Sequence, residues 1–196
     1  MGSAQDLFDK ATESYDKAIN RIKMLDRVYQ EAHKEANSRF KGWDVKVTLA
    51  QFDWILQGIL MSAALIDGDF HRLERQFVEK ITDYGDLLKY IKKKTDGELD
   101  LSWDDIARLD SDVQKKLLSI LPTMLEESCD SFVAPLAEVD RAVDSRDFLD
   151  ELTNDIAEIG YDLCSVDGSA EKREAEAIAV MARELLFKRW NSLVNR

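Results

Sequence analysis

Two parts of the chain share one pattern, in which an apolar helical run ends at Asp-Gly and a Glu follows in the next helix. The defining residues are Asp67, Gly68 and Glu74 in the first unit and Asp167, Gly168 and Glu174 in the second. Glycine directly after a helix can adopt the left-handed conformation that ends helices, so each Asp-Gly marks a turn. Apolar positions around the turns correspond as well: Leu56 with Ile156, Ile59 with Ile159, Ile66 with Val166, and Val78 with Ile178. The pattern predicts a duplicated helical hairpin, at about 54–94 and 148–195.

Helical periodicity runs through the whole chain, and no stretch alternates as a strand would. Glycine and proline number only 8 and 2 of the 196 residues, which disfavours a β fold with many tight turns. The sequence therefore predicts an all-α fold, a compact bundle of about seven to nine helices in antiparallel hairpins.

The first helix is predicted to be long and amphipathic, from about Gln5 to Arg39, with Gly42 ending it. A narrow stripe recurs every three or four positions along it, formed by Leu7, Ala11, Ser14, Ala18, Ile22, Leu25, Tyr29, Ala32 and Ala36. We expect residues 1–44 to form a helix that projects from or packs along a second unit, 45–196. This helix could carry a homo-oligomer contact.

The other predicted helices cover 48–66, 70–94, 111–122, 123–143, 148–166 and 170–195, with a short helix starting at Ser102. Residues 48–66 are apolar nearly all round, so they should lie in the middle of the fold. Three lysines at 92–94 suit the negative end of a helix, and Asp96-Gly97 predicts the turn after it. Ser111 and Thr123 each precede a Gln or Glu three residues on, a capping pattern that predicts two helices separated at Pro122.

The net charge of −12 is spread along the chain. Such a surface repels phosphate backbones, so nucleic acid is not an expected partner, whereas the charge is compatible with cationic partners, including metal ions and basic protein surfaces. The most apolar run, 54–66, is too short to span a bilayer. Cys129 and Cys164 fall at apolar helical positions, where reduced, buried cysteines are expected, and this favours a cytoplasmic location.

The two Asp-Gly turns have a purely structural interpretation. His71 and Glu171 lie near the start of the following helix, with Glu74 and Glu174 three residues later. A glutamate there accepts a hydrogen bond from the cap residue's backbone N–H and favours the positive end of the helix. Helix capping explains the spacing without any ligand.

The alternative interpretation is a divalent-cation site, calcium in particular. A standard EF-hand is excluded, because Ala63, Leu65 and Leu163 occupy positions that require oxygen ligands. A shallower site could still be built in either unit, from Asp67, Asp69 and Glu74, or from Asp167, Glu171 and Glu174. Capping is favoured, because it requires no missing ligands.

Catalytic motifs are not found in the sequence. A di-iron bundle needs Glu-x-x-His pairs, and neither His33 nor His71 has a glutamate three residues before it. Two cysteines and two histidines, scattered along the chain, do not have zinc-ligand spacing. We therefore predict neither an enzyme nor a cofactor other than a possible cation.

The two hairpins resemble the tellurite-resistance TerB-like family. The resemblance rests on 63–68 with Glu74 and Ile81, and on 164–168 with Glu174 and Ile178. It covers about 54–186 and implies an all-helical duplication, to which the first helix is an addition.

Family members are associated with bacterial tellurite and general stress responses. Their acidic clusters, proposed to bind metal, correspond here to Asp67, Glu74, Asp167 and Glu174. The resemblance implies a non-catalytic module that acts through an unidentified protein partner, with divalent-cation binding or sensing as the alternative function.

Overall fold

The prediction of an all-α fold is confirmed. The computed structural model describes residues 3–35, 44–67, 70–143 and 148–166, together with Ile178, Val180, Arg183 and Glu184. Within this part of the chain the regular structure is entirely helical. The helices are α1 (Ala4–Glu35), α2 (Val45–Asp67), α3 (Arg72–Lys80), α4 (Leu87–Lys94), α5 (Trp103–Ile106), α6 (Ser111–Val143) and α7 (Phe148–Cys164).

Helix α2 forms the centre of the bundle, as its apolar composition predicted. It packs along α6 and also contacts α1 and α4. Phe52, Ile55, Leu56 and Ile59 are completely buried. Gly58 allows the close approach of α6, since a Cβ atom there would collide with the side chain of Leu125. No described helix has the length and apolarity needed to cross a membrane.

Helix α1 packs along the body of the bundle, chiefly against α7. Five residues of the predicted stripe are buried, namely Ala11, Ala18, Ile22, Leu25 and Tyr29. Tyr15 and Ile19, which lie beside that stripe, are buried too, so the apolar face is wider than a coiled-coil seam. All seven belong to the same core as α2 and α6.

The prediction of a single helix over 70–94 is wrong, because the structure divides this segment into α3 and α4. A loop at 81–86 separates them. Asp86 begins α4 by accepting hydrogen bonds from the N–H groups of Leu88 and Lys89. The loop is also bound to buried polar side chains of α2, and no local sequence signal reports these long-range contacts.

The predicted break at Pro122 is wrong as well, because α6 continues through Pro122 and Pro135. A proline removes one backbone donor, and Pro122 is exposed, so water can hydrate the carbonyl that loses its partner. The N-cap is Asp110, whose carboxylate accepts from the N–H groups of Asp112 and Val113 at 3.0 and 2.9 Å. The predicted cap at Thr123 lies within the helix.

Several local predictions are confirmed. Ser102 caps α5 with Asp105 as its capping-box partner. Asp96 and Gly97 have positive φ angles of 50° and 83° and form the turn after α4. Two of the lysines at 92–94 pair with carboxylates, Lys92 with Asp100 at 2.7 Å and Lys94 with Glu127 at 3.0 Å.

The second hairpin is described only in part. Helix α7 matches the prediction over 148–166, and four residues of the predicted helix 170–195 are described, all of them helical. A Cβ atom on Gly160 would collide with Ile178, so the chain beyond α7 packs back onto it. The internal duplication stays a prediction.

Candidate functional site

The first Asp-Gly turn carries the predicted cap. Helix α2 ends at Asp67, and His71 is the N-cap of α3. The His71 side chain accepts from the N–H of Leu73 at 3.2 Å, while the Glu74 carboxylate accepts from the N–H of His71 at 2.7 Å. The capping interpretation is thus confirmed for this unit, and it assigns Glu74 a structural role.

The other residues of the proposed cation sites lie outside the described residues. This applies to the side chain of Asp67 and to Asp69, Asp167, Glu171 and Glu174. Where side chains are described, no three His, Cys, Asp or Glu residues form a group that could hold a metal ion. Of the four candidate ligands, the structure therefore describes only the Glu74 side chain, and calcium binding stays a prediction.

A polar centre that the sequence did not predict lies inside the bundle. We define it as Asp53 and Gln57 of α2, Tyr15 of α1, and the backbone of the 81–86 loop. Asp53 is completely buried, and its Oδ1 accepts from the Tyr15 hydroxyl at 2.8 Å. Its Oδ2 accepts from the backbone N–H groups of Tyr84 at 3.1 Å and Gly85 at 3.0 Å. One carboxyl group thus joins α1, α2 and the loop.

Gln57, one helical turn after Asp53, completes the attachment of the loop. Its amide nitrogen donates to the carbonyls of Ile81 and Gly85 at 2.9 and 2.8 Å, and its oxygen accepts from the N–H of Leu87 at 2.8 Å. Gln57 is also completely buried. Because the loop interrupts the helix, these backbone groups would otherwise lack partners away from water.

The pKa of Asp53 is raised from 3.8 to about 7. Burial is the largest cause, because a carboxylate loses its hydration there, and the nearby charge of Asp83 adds to it. Hydrogen bonds from Tyr15, Gly85 and Tyr84 lower the pKa but do not offset burial. The Tyr15 pKa is raised by burial and by Asp53, so its hydroxyl remains a neutral donor at physiological pH.

A second buried carboxylate, Asp155 of α7, has a different environment. It is 1% exposed and forms ion pairs with Lys17 at 3.0 Å and Arg21 at 2.7 Å. Arg21 also pairs with Glu151. These contacts fasten α7 to α1, and two cations compensate the buried charge.

An open, shallow depression lies along α1 on the side that contacts α7, and it is lined by Glu13, Asp16, Lys17, Asn20, Arg21 and Met24. We call it the α1 groove. Met24 is 59% exposed, and Val28, one turn further on, is 40% exposed. Side chains four residues apart lie on the same face of a helix, so Met24 and Val28 form a small exposed apolar surface at one end of this groove.

The sequence does contain a partial signal for the polar centre. Asp53 and Gln57 are polar residues four apart on a helix that is otherwise apolar nearly all round. Gly85-Asp86 lies within the helix predicted over 70–94, where both residues are unfavourable. The first feature indicates a buried polar contact and the second indicates a break in a helix. The sequence does not show that the two features contact each other.

A scan against protein-family models, a search of curated proteins and a search of solved structures found no match to this chain.

Proposed function

We propose that this chain is a non-catalytic helical interaction module, of the TerB-like kind and with the stress-response role that its sequence resemblance implies. It acts by binding a basic protein partner in the α1 groove. The observation that carries the proposal is Met24, an exposed apolar side chain with Val28 one turn away on the same helix.

The charge along the α1 groove favours a basic partner. Glu13 and Asp16 contribute two negative charges, whereas Lys17 and Arg21 are neutralised by Asp155 and Glu151 behind them. The whole chain also carries a net charge of −12, which attracts cationic surfaces over longer distances. A helix with an apolar anchor and flanking Lys or Arg residues would complement this groove.

Helix α1 is held in place on both sides, which favours a rigid binding surface. Tyr15 joins it to α2 through Asp53, and Arg21 joins it to α7 through Asp155. A surface fixed before binding loses less conformational entropy when a partner docks.

The test is affinity capture from the native source with wild type, Met24→Asp and Val47→Asp. Val47 is a matched control, since it is 51% exposed but lies on α2. We expect wild type and Val47→Asp to capture the same basic protein, and Met24→Asp to lose it while keeping the same melting temperature. Capture by all three proteins alike would refute the α1 groove as the binding surface. Sedimentation of the three proteins alone shows whether the partner is a second copy of the chain.

A further inference from the structure

We propose that the 81–86 loop is a proton-dependent latch, closed onto α2 by the polar centre and loosened when buried Asp53 becomes charged. The inference does not depend on the proposed partner or on the α1 groove. It rests on two observations, the attachment of the loop and the absence of a compensating cation among the described ion pairs.

The loop is attached to α2 through two side chains. Asp53 accepts from the N–H groups of Tyr84 and Gly85, and Gln57 bonds to the carbonyls of Ile81 and Gly85. Asp83 and Tyr84 themselves are exposed. Ile81, at the start of the loop, is buried in the core. Opening only the outer part of the loop, 83–85, would break a small set of hydrogen bonds and leave Ile81 buried.

No described ion pair places a cation on Asp53, whereas two cations pair with Asp155. The groups that face it are the neutral Tyr15 hydroxyl from α1, and Asp83 and Tyr84 from the loop. Lys23 of α1 donates to the Tyr84 hydroxyl at 2.7 Å rather than to Asp53. None of the described ion pairs includes Asp53. A desolvated carboxylate without a cation is unfavourable, and it is relieved by binding a proton or by opening to water.

The closed loop is compatible with a protonated Asp53. Oδ2 would still accept from both loop N–H groups, and a proton on Oδ1 would be donated to the Tyr15 oxygen once the Tyr15 hydroxyl hydrogen, which now points to Oδ1, rotates away. Because the closed-state pKa of about 7 exceeds the ordinary 3.8, closing takes up a proton between these pH values. The closed loop is therefore most stable at acidic pH and becomes less stable as the pH rises to about 7. Its stability changes little above pH 7.

Hydrogen exchange of the Tyr84 and Gly85 amides in the full-length protein tests the latch. After correction for intrinsic exchange, we expect their protection to fall by about 300-fold between pH 4 and pH 7. The exchange should be faster than that of the buried Leu121 amide in α6 and insensitive to low urea, since local opening exposes little surface. Protection independent of pH, or exchange with the rate and urea dependence of Leu121, would overturn the proposal.

Three variants connect the effect to Asp53. Asp53→Asn should abolish the pH dependence. Asp83→Asn should move its midpoint to lower pH, because a neighbouring negative charge is removed, whereas Tyr15→Phe should move it higher, because a hydrogen bond to the carboxylate is lost. The two opposite shifts test the latch even if Asp53→Asn does not fold. A pH dependence that persists in Asp53→Asn, or shifts that are absent or of equal sign, would contradict it.

Discussion

Gly85→Ala tests whether the loop is held against α2 as closely as the structure shows. A Cβ atom at Gly85 would lie 2.5 Å from the Ala50 carbonyl oxygen and 2.8 Å from Trp54 Nε1. Real Cβ contacts are longer than 3 Å, and the backbone of a central helix cannot retreat, so the loop must move outward. That movement breaks the two hydrogen bonds from the loop N–H groups to Asp53.

The expected loss combines overpacking with broken hydrogen bonds. Overpacking costs about 1–3 kcal/mol. Losing the two N–H bonds to Asp53 adds about 1 kcal/mol each. We therefore expect the free energy of unfolding to fall by about 3–5 kcal/mol, which lowers the melting temperature by about 10 °C for a chain of this size.

Gly97→Ala is the matched control, measured by urea and thermal unfolding under the same conditions. Gly97 has a φ of +83°, and a Cβ atom added to it would have no other atom within 4 Å, so alanine there meets only backbone strain. Its expected cost is about 1 kcal/mol. The reasoning fails if Gly85→Ala is as mild as Gly97→Ala, because the close approach would then not exist in solution.

The buried and capping groups give three further predictions. The folded pKa of Asp53, about 7, exceeds the ordinary 3.8, so folding takes up a proton between these values. Urea unfolding should show the free energy of unfolding of the wild type falling by about 3 kcal/mol relative to Asp53→Asn as the pH rises from 4 to 7. A difference in stability between the two proteins that does not change with pH would contradict this. Glu74→Ala should lower the free energy of unfolding by about 1 kcal/mol and Glu74→Gln by less, with or without calcium. A calcium-induced stabilisation that Glu74→Ala abolishes would instead support the cation site. Asp155→Ala should lower the free energy of unfolding by about 2 kcal/mol, because the partly exposed Lys17 and Arg21 lose their bonds to a buried carboxylate, and a double-mutant cycle with Arg21→Met should show that the two losses are not additive. Additive losses would refute the coupling.

The features that could be predicted from sequence depend on near neighbours or on overall composition. His71 and Glu74 are three residues apart, as are Ser102 and Asp105, so each cap can be recognised within one helical turn. The apolar character of α2 likewise predicts its central position, whatever helices surround it. An all-α fold follows from periodicity alone.

The polar centre and the position of the 81–86 loop depend on contacts between residues that are far apart in the sequence. Asp53 meets Gly85 across 32 residues and Tyr15 across 38, and Gln57 meets Gly85 across 28. The helical periodicity over 70–94 predicts one continuous helix, and Gly85 and Asp86 only weaken that prediction, whereas the buried carboxyl and amide of α2 bond to the interrupted backbone and make the break stable. Only once α1, α2 and the loop are packed together does Asp53 lose its water, and its raised pKa is a consequence of that burial.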